Sequence, residues 1–135
     1  MQLAVFFSFE HKVPQTCSTF HTIVLRAMVL IANHCNEDCS LSNIAHQVAV
    51  SPTYLSALFK RVLSVNFVDY VRNVRMASAK LLLLNSTQKI SSIALTVGIE
   101  DVRYFGRLFK QETGMTPTEY RRLFSQPAED REEES

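Results

Sequence analysis

Two stretches of this chain copy one another, and that repeat limits the fold more than any other feature of the sequence. Leu41-Ser42-Asn43-Ile44-Ala45-His46-Gln47-Val48 matches Ile90-Ser91-Ser92-Ile93-Ala94-Leu95-Thr96-Val97, so that Ile44, Ala45 and Val48 recur as Ile93, Ala94 and Val97 at an offset of 49. Further on, Tyr54, Leu58, Phe59, Lys60, Asp69, Tyr70 and Arg72 recur as Tyr104, Leu108, Phe109, Lys110, Glu119, Tyr120 and Arg122 at an offset of 50. The second copy therefore holds one more residue in its turn, near Gly98 to Asp101. A repeat at such a spacing marks a repeated structural unit. Two copies are too few for a solenoid, which leaves a duplicated small motif.

Each copy reads as helix, tight turn, helix. Leu41, Ile44, Ala45 and Val48 fall at i, i+3, i+4 and i+7, one face of a helix. Ser40 is placed to cap its start. After the turn, Leu55, Leu58, Phe59 and Val62 form a second such face, and Ser51-Pro52 is a start signal with Ser as cap and Pro at the first helical position. Phe105, Leu108 and Phe109 repeat that face behind Asp101 as cap. Small residues stand where two short helices must cross closely: Ala45 and Ala94 within the first helix, Ala49 and Gly98 at the turn. Gly98 can take a positive φ at little cost. Small residues at those two places meet the steric requirement of a helix-turn-helix. A generic helical hairpin is the bland alternative, and the second copy outweighs it.

Between the copies, residues 66–84 read as one long helix whose core side is carried by Phe67, Val71, Val74 and residues 79–82, with Asn85-Ser86-Thr87 ending it. A helix of ~18 residues spans about 27 Å. That is close to the ~34 Å turn repeat of B-DNA, so such a helix can hold two reading heads over adjacent major-groove segments. Residues 19–34 read as a further amphipathic helix with Ile23, Ala27, Leu30 and Ile31 inward. Residues 117–124 read as a short closing helix, capped by Thr116 and begun by Pro117. Leu3, Val5, Phe7 and Phe9 alternate like one strand, and residues 128–135 are too acidic and too poor in apolar groups to fold.

At 135 residues and 47% apolar, the chain suits one domain with a real core. Three Gly, four Pro and no Trp fit helices better than a turn-rich β sandwich. No stretch is apolar for long enough to cross a membrane. The apolar start, residues 1–9, lacks a basic leader and a cleavage site, so it is not read as a signal peptide. Three cysteines, an odd number, argue for a reducing compartment, and the cytoplasm is the expectation. The net charge of +1 conceals an uneven layout: residues 39–126 carry eleven basic against five acidic residues, and residues 127–135 one against five. A basic middle with an acidic end suggests a polyanion partner.

Ser51-Pro52-Thr53-Tyr54-Leu55-Ser56 with Phe59-Lys60 resembles the first unit of the AraC/XylS family of transcription regulators. Arg75-Met76, Ala79-Lys80 and Leu82-Leu83 resemble its linker helix. Gly98-Ile99-Glu100-Asp101, Tyr104-Phe105, Phe109-Lys110, Gly114-Met115-Thr116-Pro117 and Glu119-Tyr120-Arg121 resemble its second-unit signature, with spacing closest to YesN-like response regulators. The likeness runs from about Leu25 to Arg122. It implies an all-α, seven-helix domain of two helix-turn-helix units joined by a long linker helix. The second helix of each unit would lie in the major groove to activate or repress promoters. Residues 19–126 would form that domain and 127–135 an acidic disordered tail. Residues 1–18 read as the remnant of a lost upstream domain, because such a family usually carries a sensor or receiver domain ahead of this one. Four departures stand out. Ser64 replaces a usual Gly, which strains or loosens the turn after the first recognition helix. Ile99 replaces a usual aromatic, and Ala57 and Gly106 are short where long readers are common.

Thr53, Ser56, Ala57 and Lys60 share the face of the first recognition helix opposite its core; Arg103, Gly106, Arg107 and Lys110 do so on the second. Thr53, Ser56, Ala57, Val102, Arg103, Gly106 and Arg107 are the candidate base readers. Arg can bind guanine O6 and N7 in bidentate fashion, and a Thr methyl can pack on a thymine methyl, so the second head reads as the stronger. Ser51, Lys60, Arg61, Lys110, Thr116 and Arg121 are the phosphate candidates. Tyr54, Tyr70, Tyr104 and Tyr120 are read as core. Double-stranded DNA is the expected partner, with RNA polymerase and an upstream sensor or receiver domain beside it, and the chain itself is expected to be a monomer.

Other chemistry finds little support. Cys17 and His21 lie four apart, with His34, Cys35 and Cys39 following, a donor set from which zinc could draw four ligands. Cys35 and Cys39, however, stand where the resemblance places buried apolar residues, and free Cys is often buried. No Gly-rich phosphate loop, nucleophile elbow or catalytic carboxylate pair is present, so no enzyme activity, cofactor or metal is expected. An alkyl-transfer repair enzyme, in which the family's domain also occurs, is disfavoured because no metal-activated cysteine set is present. Ala77, Leu81 and Leu84 make an apolar stripe on the linker helix where the family is usually polar. The rival reading is accordingly a truncated interaction module that pairs with a full-length regulator through that stripe and binds DNA weakly.

Overall fold

The computed structural model describes residues 15–34 and 36–125. The expected N-terminal strand, Cys35 and the acidic end lie outside them. Seven helices and no strand make up the secondary structure of the described residues: α1 (Gln15–His34), α2 (Leu41–Gln47), α3 (Pro52–Leu63), α4 (Phe67–Asn85), α5 (Ile90–Thr96), α6 (Val102–Thr113) and α7 (Pro117–Phe124).

The helix starts follow the capping chemistry in the sequence. Ser40 Oγ accepts from the Asn43 N–H (3.2 Å), Ser51 Oγ from Tyr54 (3.1 Å), and Asn66 Oδ1 from Asp69 (2.9 Å). Asp101 Oδ1 accepts from both Arg103 and Tyr104 (2.9 and 3.3 Å). Thr116 and Glu119 form a reciprocal capping box, 3.2 Å one way and 2.9 Å the other. Each such cap is worth about 1 kcal/mol because it satisfies a donor the helix cannot. Only α5, begun at Lys89, lacks a side-chain cap among the short helices α2, α3, α5, α6 and α7.

The two turns share one hydrogen-bond scheme. The Val50 N–H donates to the Ala45 carbonyl (3.0 Å) and the Ala49 N–H to that of His46 (3.1 Å). Ile99 likewise reaches Ala94 (2.8 Å) and Gly98 reaches Leu95 (3.0 Å). Both are Schellman closures, which need a left-handed residue after the helix. Gly98 supplies it at φ 89°, but the first copy places Ala49 there at φ 61°. Since Val50 and Ile99 correspond, and Ser51 and Asp101 both cap, the extra residue of the second copy is the exposed Glu100.

Contacts divide the chain between Val74 and Arg75 into two compact units. In the first, Val24, Ala27 and Ile31 of α1 pack with Ile44 and Ala45 of α2, Leu55, Leu58 and Phe59 of α3, and Phe67 and Val71 of α4. In the second, Met76, Ala79 and Leu83 of α4 pack with Ile93 and Ala94 of α5, Ile99 of the turn, and Phe105, Leu108 and Phe109 of α6. The duplication thus extends to the supporting helix, which presents i, i+3 and i+7 in each unit. Ala45 and Ala94 have no exposed surface, as a close helix crossing requires.

The expected core side of α4 needs correction. Met76 and Leu83 are buried, whereas Leu81 is 62% exposed and Val74 and Leu82 are half-buried. One stripe was extended along a helix that serves two cores, each with its own stripe. The tyrosines also divide. Tyr70 and Tyr120 are half-buried and meet Phe59 and Phe109 edge to face, with centroids 5.4 and 5.3 Å apart. Burial pushes the Tyr70 phenol above its ordinary value. Tyr54 and Tyr104 are 40 and 42% exposed, not core. Each precedes the first inward residue of its helix, Leu55 or Phe105, and so points about 100° away from the core side.

Candidate nucleic-acid interface

With Leu55, Leu58 and Phe59 turned inward, α3 must present its other face to solvent. Thr53, Ala57 and Lys60 are exposed there and Ser56 is half-buried. On α6 the same logic exposes Arg103, Arg107 and Lys110, leaves Gly106 half-buried, and puts Val102 41% exposed at the start. Each unit therefore gathers its own reader candidates on one face of its second helix. A shallow concavity runs along the α3 face, lined by Pro52, Thr53, Ser56, Ala57 and Lys60 with Leu41 and Asn66 at its edges. It exists because the side chains between Pro52 and Lys60 on that face are short. Gly106 is bare for no steric reason, since a Cβ there would meet nothing within 4 Å.

The cations differ in what they already hold. Arg72 pairs with Asp69 at 2.8 Å, a local i,i+3 bridge. Arg103 and Arg107 have no carboxylate partner among the described residues, nor does Lys60, and residues 48–66 contain no acid at all. Arg107 lies over the Tyr104 ring (5.9 Å) and Arg61 over that of Phe20 (5.3 Å), contacts that restrain a guanidinium without neutralising it. These two aromatic supports escaped the sequence reading. The signal for Tyr104 was its place three residues before an Arg-bearing turn position rather than on the core stripe.

Arg121 is the phosphate candidate that the structure reassigns. Its Nε donates to the Leu83 carbonyl (3.0 Å), one Nη to that of Gln88 (2.7 Å) and the other to that of Ser86 (3.1 Å). The guanidinium closes the end of α4, whose last turn has no basic residue of its own. Ser51 is engaged as a cap, yet a hydroxyl that accepts a cap bond keeps its own hydrogen to donate, whereas the Thr116 hydroxyl accepts from the Glu119 N–H and faces the Glu119 carboxylate as a donor. Glu119 is held below the usual carboxylate range, first by the Thr116 backbone N–H, then by the Thr116 side chain, with the charges of Lys110 and Arg122 adding to it. Of the zinc donor set weighed in the sequence, the Cys17 side chain and Cys35 lie outside what is described; among the described residues no group of three or more His, Cys, Asp or Glu could hold a metal. Cys39 is buried, its thiol donating to the His34 carbonyl (2.9 Å). Of the apolar stripe, Ala77 and Leu81 are exposed and Leu84 is half-buried. No described helix is long and apolar enough to cross a membrane.

Comparison with known proteins agrees with this anatomy. A family model described as a helix-turn-helix domain matches residues 19–123. The chain is 34% identical over 111 residues to the uncharacterised HTH-type transcriptional regulator YisR of Bacillus subtilis, an alignment covering 82% of this chain and 39% of that one. It resembles the solved C-terminal domain of AraT, a response regulator from Geobacillus stearothermophilus, with TM-score 0.75 and 36% identity over 78% of this chain and 88% of that one. The C-terminal domain of the two-component response regulator YesN from Fusobacterium nucleatum gives TM-score 0.67 and 38% identity over 70% and 93% of the two chains. The chain spans 33 to 39% of the length of the first curated relatives it matches.

Proposed function

The chain belongs to the AraC-type helix-turn-helix family, and from that premise we propose that it is a sequence-specific, DNA-binding regulator of transcription. In this reading α3 and α6 each enter a major-groove segment of a promoter in the bacterial cytoplasm. Arg103 and Arg107 read bases from α6, Thr53, Ser56 and Ala57 from α3, and Lys60, Arg61, Lys110 and the Ser51 hydroxyl hold phosphates. The observation that carries it is the pair of arginines on α6, exposed, one turn apart and without an acidic partner among the described residues. Guanidinium groups that merely solubilise a helix gain by pairing with neighbouring acids, as Arg72 does. A face left unneutralised suits a polyanion. Contact with RNA polymerase, and with a sensor or receiver domain, belongs to the same proposal and draws on the greater length of the relatives.

The test is selection of bound sequences from random duplex DNA, followed by affinity measured across salt. Arg103→Ala or Arg107→Ala should cost about 1–3 kcal/mol on the selected site and relax preference at one position. Lys60→Ala should weaken all sequences alike and lower the salt slope by about one unit. If both arginine variants keep the parental preference, α6 does not read bases.

A further inference from the structure

We infer that the two reading helices recognise different base chemistries, α3 taking the methyl edge of thymine and α6 the acceptor edge of guanine. The inference rests on the DNA-reading function proposed above and assigns each helix its ligand class.

The exposed face of α3 offers carbon where a reader usually offers long donors. The Pro52 ring and the Thr53 and Ala57 methyls line the shallow concavity, with the half-buried Ser56 hydroxyl between them. Each base shows a distinct edge in the major groove, and thymine alone adds a methyl to its acceptor. The other bases find no bidentate partner among Pro52, Thr53, Ser56 and Ala57. Cytosine presents an amino donor that needs a carboxylate, and residues 48–66 contain no Asp or Glu. Adenine needs the paired donor and acceptor of Asn or Gln; no residue of α3 is either, and Asn66 at the edge of the concavity has its Oδ1 engaged by the Asp69 N–H. Guanine needs a cationic donor, and Lys60 stands two turns beyond Thr53, beside the residues that would hold phosphate. A concave face of short side chains also lets the helix backbone come close, so that a methyl group fills the hollow rather than leaving it to water.

The face of α6 is the opposite case. Arg103 and Arg107 present planar forks that match guanine O6 and N7. The Tyr104 ring beneath Arg107 at 5.9 Å restrains one fork, which lowers the ordering cost of a bidentate contact. Open space at Gly106 lets a base edge enter between the two arms.

The experiment uses the whole chain and the duplex it selects from a random pool. Each thymine is replaced in turn by deoxyuridine, which removes only the methyl, and each guanine by 7-deazaguanine, which removes only the N7 acceptor. The expected result is a site with two separate segments. In one, deoxyuridine lowers affinity roughly fourfold per contacted methyl. In the other, 7-deazaguanine lowers it roughly fivefold or more. Thr53→Ser, which removes a methyl from an exposed position, should abolish the deoxyuridine penalty at one thymine and leave the guanine penalties intact. Arg107→Lys, which keeps the charge and loses the fork, should do the reverse. A selected duplex that is indifferent to deoxyuridine, or whose penalties respond to the wrong helix's variant, overturns the inference while leaving DNA reading intact. A pool that returns no enriched sequence overturns the DNA-reading function and this inference with it.

Discussion

Replacing Arg121 by Ala should unfasten the second unit rather than the DNA. The side chain holds three carbonyls at 2.7 to 3.1 Å, at Leu83 in the last turn of α4 and at Ser86 and Gln88 in the segment leading to α5. A hydrogen bond from a charged donor contributes about 1.5–3 kcal/mol net when desolvated. Arg121 is half-buried and the Gln88 contact is exposed, so water regains part of what the truncation removes. The Leu83 carbonyl, inside the buried stripe of α4, regains least. The total loss is then about 2–4 kcal/mol, to which the helix end adds a smaller amount by losing its cation. For a unit of this size each kcal/mol moves the melting midpoint by roughly 4–8 °C. The assay is thermal unfolding by circular dichroism, with amide exchange to locate the loss in the last turn of α4 and in α7. Arg122→Ala is the control, because that side chain is exposed and its change should stay within about 0.5 kcal/mol. If Arg121→Ala melts with the parent while losing affinity and one unit of salt slope, the residue contacts phosphate and the structural role assigned to it is wrong.

Three further outcomes follow from the packing and the caps. Ala94→Leu should cost the second unit about 1–3 kcal/mol by overpacking a site with no exposed surface, and an unchanged melting midpoint would mean α5 and α6 do not cross there. Ala49→Gly and Ser64→Gly should each raise the stability of the first unit by up to about 1 kcal/mol, since both residues sit in the left-handed region at φ 61° and 62°, whereas Gly114→Ser should lower that of the second. Denaturant titrations read all three, and a Gly variant no more stable than the parent refutes the strain argument. Because the folded state lowers the Glu119 pKa, its contribution is present above the ordinary carboxylate range and is lost as pH falls through the folded value. Glu119→Gln, which keeps a cap acceptor, should therefore flatten the acid limb of melting midpoint against pH, and an identical acid limb in the variant would show that another group governs it.

The helices and their caps were legible because period and capping are local chemistry: Ser40, Ser51, Asp101 and Thr116 each accept the bonds their positions implied. So was the segregation of reader candidates, which follows once Leu55 and Phe105 are known to point inward. What escaped depends on tertiary partners. The match of Val24, Ala27 and Ile31 to Met76, Ala79 and Leu83 preserves spacing and burial with only Ala in common, so no identity scan finds it. Arg121 aligns with Val71, a buried apolar residue of the first unit, and nothing in a one-dimensional repeat says that its charge turns back onto carbonyls some 35 residues earlier. Tyr54 and Tyr104, read as core, stand one residue before the inward Leu55 and Phe105, and that phase on the helix already places them off the core side.

The internal copy also separates packing from reading without any second protein. Both units solve one steric problem, so positions that touch the core should change little between copies and positions that do not are free to drift. Leu58 and Phe59 return unchanged as Leu108 and Phe109, and Leu55 returns as Phe105, still fully buried. On the exposed face, Thr53, Ser56 and Ala57 return as Arg103, Gly106 and Arg107, while Lys60 returns as Lys110. A face under no demand but solubility would drift at the lysine as readily as at its neighbours. Of the cations placed for phosphate on α3, Lys60 is retained as Lys110 and Arg61 returns as Gln111, while every residue placed for bases is replaced, the pattern expected when one backbone contact is common to both heads and the sequence read is not.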